Sequence, residues 1–233
     1  MEEYLQKRNA LILTVTLLVI SIAVYSVVSF FNLFDTTFGI TAYGSVSPSI
    51  PIKRNGDVYT FTNNTPKFSI RRSNIVIDGN GYNSSLIILD HATNVTITNL
   101  QLIASSGMYY KYSGIGLYLD CSSNNLISNC RFLGGRISLH AAHNNTISNN
   151  TDLRVYLDHS NYNTISKNDL AGNRVAESVH IRNGVNNLIL RNNSTKIVLS
   201  RSASSNLIFG NRINNVNWIF LAIGSESTKN LFV

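Results

Sequence analysis

The sequence predicts an all-β protein: a single-stranded right-handed parallel β-helix, a solenoid of about seven to eight coils, preceded by one N-terminal transmembrane helix. Three observations carry this. A short motif recurs along the chain, centred on Ile77, Ile97, Ile127, Ile147, Ile165, Ile189, Ile208 and Phe232, at steps of 20, 30, 20, 18, 24, 19 and 24 residues. The recurring units are β-branched and alternate apolar with polar, which is strand and not helix periodicity. Asparagine fills 32 positions and stands in fixed columns beside the motif.

From the N-terminus, residues 10–34 read "ALILTVTLLVISIAVYSVVSFFNLF", carry no charge, and are long enough for a bilayer core, which takes ~20 apolar residues. Lys7 and Arg8 precede the segment and no basic residue follows until Lys53, so the positive-inside rule places the N-terminus in the cytoplasm and everything after it outside the cell. The predicted organisation is a cytoplasmic N-terminus over 1–9, a membrane anchor over 10–34, a linker over 35–50, an N-terminal capping strand region over 51–72 and the β-helix over 73–233. Sequons begin at Asn63, Asn83, Asn94, Asn144, Asn149, Asn192 and Asn193, as expected of an exported glycoprotein, although so asparagine-rich a chain also produces them by chance.

Each β-helix unit is expected to hold a motif strand and a second strand. The second strands are "LIILD", "LYLD", "RISLH", "RVYLD", "VHIR", "KIVLS" and "WIFLA", each with two apolar residues separated by one outward residue. Asparagines two before the motif centre (Asn125, Asn145, Asn163, Asn187, Asn206, Asn230) and three after it (Asn80, Asn150, Asn168, Asn192, Asn211) mark the bends. Asparagine tolerates left-handed backbone and bonds nearby peptide groups, so these columns are read as structural.

The ladder, "SNIVIDGNGY" at Ser73 to Tyr82 and the lead-in "PIKRNGDVYTFTNN" at Pro51 to Asn64 resemble the right-handed β-helix repeat family that includes NosD-like and pectate-lyase-like proteins. The resemblance covers about residues 51–233 and implies a surface or periplasmic location. It leaves activity open, because the fold hosts lyases, hydrolases, adhesins and structural proteins.

The most functional-looking surface is the outward column of the second strands: Ile88, Tyr118, Ser138, Tyr156, His180, Val198 and Phe220. Arg136, Arg154 and Lys196 lie on one side of it, and Asp90, Asp120, His140, Asp158 and Arg182 on the other. Aromatics between cations and carboxylates suit a sugar chain, and the same columns also suit cross-strand charge pairs on a solvated sheet. Tyr118, Arg136, Arg154, Tyr156, His180 and Lys196 are therefore the candidate ligand-binding residues, joined by Tyr109 and Tyr110 of an insertion over 104–114. A second insertion covers 171–178. The leading expectation is a binding or structural module for a surface polysaccharide or envelope protein, with self-association through the last coil.

As an enzyme the chain would use Asp90, Asp120 and Asp158. Asp120 and Asp158 are expected two coil spacings apart, roughly 9.6 Å, a distance open to inverting glycoside hydrolysis. "NTD" at Asn150 to Asp152 resembles one polygalacturonase motif, but the accompanying paired aspartates, Gly-His-Gly and Arg-x-Lys are missing, and the acidic cluster is thin for a calcium-dependent lyase. No catalytic residue or cofactor is assigned. Calcium and copper remain the ions to consider, the latter because the NosD resemblance implies copper supply. Its candidate ligands are His91, His140 and His159, near Cys121, His143 and the three aspartates. Cys121 and Cys130 flank one strand from opposite ends, too far apart for the ~7 Å Cα limit of a disulfide. The formal net charge of +7 favours anionic partners, but nucleic acid rests on that charge alone.

Overall fold

The computed structural model describes residues 38–104, 112–170, 178–213, 222–223 and 227–233. The segment expected to cross the membrane, Tyr109, Tyr110, Phe220 and the second insertion apart from Ser178 lie outside them. Among the described residues the chain is all β and winds into a parallel solenoid of about seven turns.

Two long sheets run the length of the stack. Sheet A takes the second strand of each coil, in the order Gly39–Ile40, Phe68–Ile70, Ile87–Asp90, Ile115–Asp120, Arg136–His140, Val155–Asp158, Val179–Arg182, Ile197–Ser200 and Ala222–Ile223. Sheet B takes the motif strands from Ile75–Asp78 to Leu231–Phe232. The lead-in also belongs to the stack. Val58–Phe61 pairs parallel with Ile75–Asp78, and Phe68–Ile70 pairs parallel with Ile87–Asp90. Antiparallel Ile52–Asn55 folds back on Val58–Phe61 and covers the first edge of sheet B. A third, narrower face is formed by Asn83–Ser84, Gln101–Ile103 and Arg131–Leu133, continued by single bridges through Thr151, Asp169 and Asn193.

The register follows the motif. Ile77, Ile97, Ile127, Ile147, Ile165, Ile189 and Ile208 pair in series and are buried, so the inward column is an aliphatic ladder. Sheet A stacks Leu89, Leu119, Leu139, Leu157, Ile181 and Leu199 in the same way. Its last coil departs from the sequence reading. Val198 and Leu199 pair with Ala222 and Ile223, two residues beyond the expected Phe220 and Leu221, because the apolar run "WIFLAI" has no polar residue to fix one register over another.

The asparagine columns are hydrogen-bonded ladders. Asn125, Asn145, Asn163, Asn187, Asn206 and Asn230 are linked in series, each Oδ1 from Asn145 onward accepting from the backbone N–H and the Nδ2 of the asparagine one coil earlier, at 2.8–3.1 Å, while Asn125 Oδ1 accepts from Val95 N–H. Cys130, Asn150, Asn168, Asn192 and Asn211 form the second ladder. A closed turn inside a solenoid buries peptide groups that a neighbouring strand cannot reach, and a side-chain amide supplies both donor and acceptor there. Asn192 is buried, and in the folded stack its amide donates to Ile165 O and Asn211 Oδ1.

Cys130 is buried in its column, and burial pushes its thiol up to about 12; Cys121 is exposed and both cysteines are free.

Candidate functional site

The corner after six successive sheet A strands, from Ile87–Asp90 to Ile197–Ser200, is made by a residue in left-handed backbone: His91, Cys121, Ala141, His159, Asn183 and Arg201, with φ between 47° and 56°. In an extended strand neighbouring side chains point to opposite faces. The left-handed corner cancels that alternation, so the strand's last residue and the corner residue lie together. His91 Nδ1 is 2.7 Å from Asp90 Oδ1, and His159 Nδ1 is 3.0 Å from Asp158 Oδ1.

One coil earlier, His140 occupies the strand-end position and pairs in register with Asp158. Its Nδ1 is 3.7 Å from Asp158 Oδ2, and its ring meets that of His159 edge-on at 6.4 Å between centroids. His140, Asp158 and His159 thus offer three ligand atoms within 4.8 Å of one another. Asn183 Nδ2 at 3.4 Å and Arg182 Nε at 3.7 Å approach Asp158 Oδ1 from the next coil and orient the carboxylate.

His91 is not part of this group. It stands two coils earlier with Asp90, which also accepts from Arg71 Nε at 2.8 Å. Burial alone would raise the Asp90 carboxyl, but the hydrogen bonds from His91 and Arg71 outweigh it and hold the group below its ordinary value. A carboxyl held ionised in this way is a poor general acid. His143 faces another corner, where its Nδ1 accepts from Asn161 N–H. Burial, then the charges of Asp120 and Asp90, push the Cys121 thiol up. Asp120, His140 and Asp158 are consecutive in register, which gives the expected two-coil separation of the carboxylates.

The outward column of sheet A is partly covered. Tyr118, expected to offer a ring face, is only 8% exposed; it packs with Leu86 and Ile115 under Ile88 and Tyr112. Tyr112 closes the first insertion and meets Tyr118 edge-on at 5.4 Å, with Lys67 over its ring. Tyr156 remains half-exposed, edge-on to His180 at 5.2 Å, while His180 Nε2 bonds Ser200 Oγ at 2.8 Å. At the opposite edge Arg136 lies over the Tyr156 ring at 5.7 Å, beside Arg154, which donates to Gly134 O. Desolvation, then the charge of Arg154, lowers the pKa of Arg136, and its Nε is buried with no hydrogen-bond partner among the described residues. Lys196, in the same edge column, has an interaction of its own.

The family model described as periplasmic copper-binding protein (NosD) matches residues 44–231. The chain belongs to the NosD family. The match spans nearly the whole described stack, including both edges of sheet A, so NosD membership supports the coil architecture without selecting a site within it. The periplasmic description of NosD agrees with the outside location expected from the charge asymmetry about residues 10–34. No curated protein and no solved structure matches the chain. Two imidazoles and a carboxylate are a donor set that accepts copper(II) as well as zinc, iron or nickel, so His140, Asp158 and His159 are compatible with the copper of the family description. The sequence brought these three to one edge, but the signal that separates His159 from His91 is the residue one coil earlier: His140 before Asp158, against Arg71 before Asp90.

Proposed function

We propose that this extracytoplasmic NosD-family β-helix holds a copper-class divalent ion at His140, Asp158 and His159. The convergence of three ligand atoms within 4.8 Å at one corner carries the reading. His140 and His159 bring neutral nitrogen donors from adjacent coils, Asp158 neutralises charge between them, and Asn183 and Arg182 fix its carboxylate. The ion would accept these donors as a Lewis acid; holding it requires the imidazoles to be unprotonated, so binding weakens in acid.

Titration of the full-length protein with copper(II) is expected to show one equivalent bound. His159→Ala and Asp158→Asn should each weaken it by more than the roughly 10–100-fold that loss of a supporting partner costs, and His91→Ala should leave it unchanged. No stoichiometric binding, or equal loss in the His91 variant, would refute the assignment.

A second reading concerns the opposite edge of sheet A, and Arg136 is the observation that favours it. Two adjacent guanidiniums, one half-buried with an unpartnered Nε, carry charge that an anion would compensate. An acidic surface polysaccharide laid along Arg136, Arg154 and Tyr156 supplies carboxylates for the cations and ring faces for the aromatic. Polygalacturonate is expected to bind the full-length protein and to be released by salt. Arg136→Gln and Arg154→Gln should each weaken binding by about tenfold, in the range of one charge-assisted hydrogen bond. Binding indifferent to both changes would remove this edge from consideration.

A further inference from the structure

The outer face of sheet B changes character along the stack. Each coil presents two outward side chains, one on either side of the buried motif residue. In successive coils these are Thr96 and Thr98, Leu126 and Ser128, Thr146 and Ser148, and Thr164 and Ser166. The next three coils place Leu188 and Leu190, Leu207 and Phe209, and Leu231 and Val233 at the same positions. The fold does not require this, since the four earlier coils stack in the same register with mostly Thr and Ser there.

These side chains are open to solvent. Phe209 is 40% exposed, Leu231 57% and Val233 69%, while Leu188 and Leu190 are half-buried. Arg191 stands at the left-handed corner after Leu188–Leu190, Lys167 stands at the same corner one coil earlier, after Thr164–Ser166, and Lys229 stands at the corner before the last strand. All three are exposed and have no acidic partner among the described residues. The result is an apolar face, about 7 Å by 10 Å between backbone anchor points from strand geometry, rimmed by cations.

A contiguous exposed apolar surface marks an interaction site, and the rim selects the occupant. A second copy laid face to face would set one cationic rim against another. A bilayer containing anionic lipid offers an apolar interior to the leucines and phosphates to the rim, the combination of shallow insertion and electrostatic attraction by which interfacial elements bind. The apolar segment over 10–34 is expected to keep the chain within reach of such a surface. We propose that the outer face of sheet B over these three coils seats on anionic lipid, with Leu188, Leu190, Leu207, Phe209, Leu231 and Val233 at the headgroup boundary and Lys167, Arg191 and Lys229 on the phosphates.

The full-length chain is reconstituted into vesicles of phosphatidylcholine, with or without phosphatidylglycerol, containing brominated acyl chains. Trp218 is replaced by Phe and a single reporter is placed by Phe209→Trp or, on the hydroxyl-bearing part of the same face, by Thr146→Trp. Bromine is expected to quench the reporter at 209 several-fold more than that at 146, most strongly with phosphatidylglycerol. Adding Lys167→Gln and Arg191→Gln should reduce the difference at least twofold. Leu207→Thr, which copies an earlier coil and so should preserve folding, should reduce it as well. Equal quenching at both positions, or none at 209 in chains that float with the vesicles, would overturn the proposal. So would a signal at 209 that ignores lipid and follows protein concentration, since that would give the face to a second copy.

Discussion

Asn163→Ala is expected to destabilise the β-helix by about 3–9 kcal/mol, enough to threaten a fold whose whole margin is typically about 5–15 kcal/mol. The Asn163 Oδ1 accepts from Asn145 N–H at 2.9 Å and from Asn145 Nδ2 at 3.1 Å, and its Nδ2 donates to Ala142 O at 3.0 Å and to Asn187 Oδ1 at 3.1 Å. Alanine removes all four bonds. It leaves a peptide N–H, a carbonyl and an amide hydrogen buried without partners, each costing about 1–3 kcal/mol. Neighbouring coils carry their own asparagines, so the loss should be local. Amide exchange should speed up around residues 142–145 and 163–187 while protection near Ile77 and Ile97 persists, as expected of a quasi-one-dimensional stack. Asn144→Gly is the contrasting change. Asn144 is exposed with φ 56°, a backbone that glycine adopts freely, and the effect should stay within about 0.5 kcal/mol. A change at Asn163 below about 1 kcal/mol would contradict the ladder as the support of the turn.

Ile147→Ala should cost about 2–5 kcal/mol. Ile147 is fully buried and pairs with Ile127 and Ile165, so the coil spacing is held by layers above and below and cannot collapse into the gap. Its neighbour Thr146 points outward in the same strand, and Thr146→Ala should change stability by less than about 1 kcal/mol. Denaturant unfolding of the two variants separates them. Near-equal losses would mean that the strand does not bury alternate residues.

How much of this was legible follows from what each level of structure depends on. The motif centres, the sheet A ladder as far as Val198 and both asparagine columns were readable, apart from Asn80, which is exposed and bonds Asp78 and Phe61 instead of joining the ladder, because one side-chain type at one step fixes strand, bend and register together. The reading slipped at "WIFLAI", where uninterrupted apolar residues remove the alternation that sets register. It recognised two strands per coil and missed the third face, whose strands of two or three residues and single bridges carry too little alternation to detect. It also missed a buried column of small residues at Ala92, Ser122, Ala142, Ser160 and Ala203, where Ser122 and Ser160 hydroxyls accept from Ala92 and Ala142 N–H. The signal was present, five residues before the motif centre of each of these coils, but its meaning depends on the corner closing inward.

The site shows the same division. The sequence by itself determined that Asp90, Asp120, His140 and Asp158 share a column and that Arg136 and Arg154 share the opposite one, because both follow from counting along a repeat. Only the tertiary structure decided that His159 joins His140 through Asp158, that His91 is spent on Asp90, and that Tyr118 is covered by Tyr112. A repeat fixes the position of a side chain along the coil by local hydrogen bonding and alternation. Which side chains meet depends on the left-handed turn at each corner and on what an insertion lays over the sheet, and both are set by packing between coils.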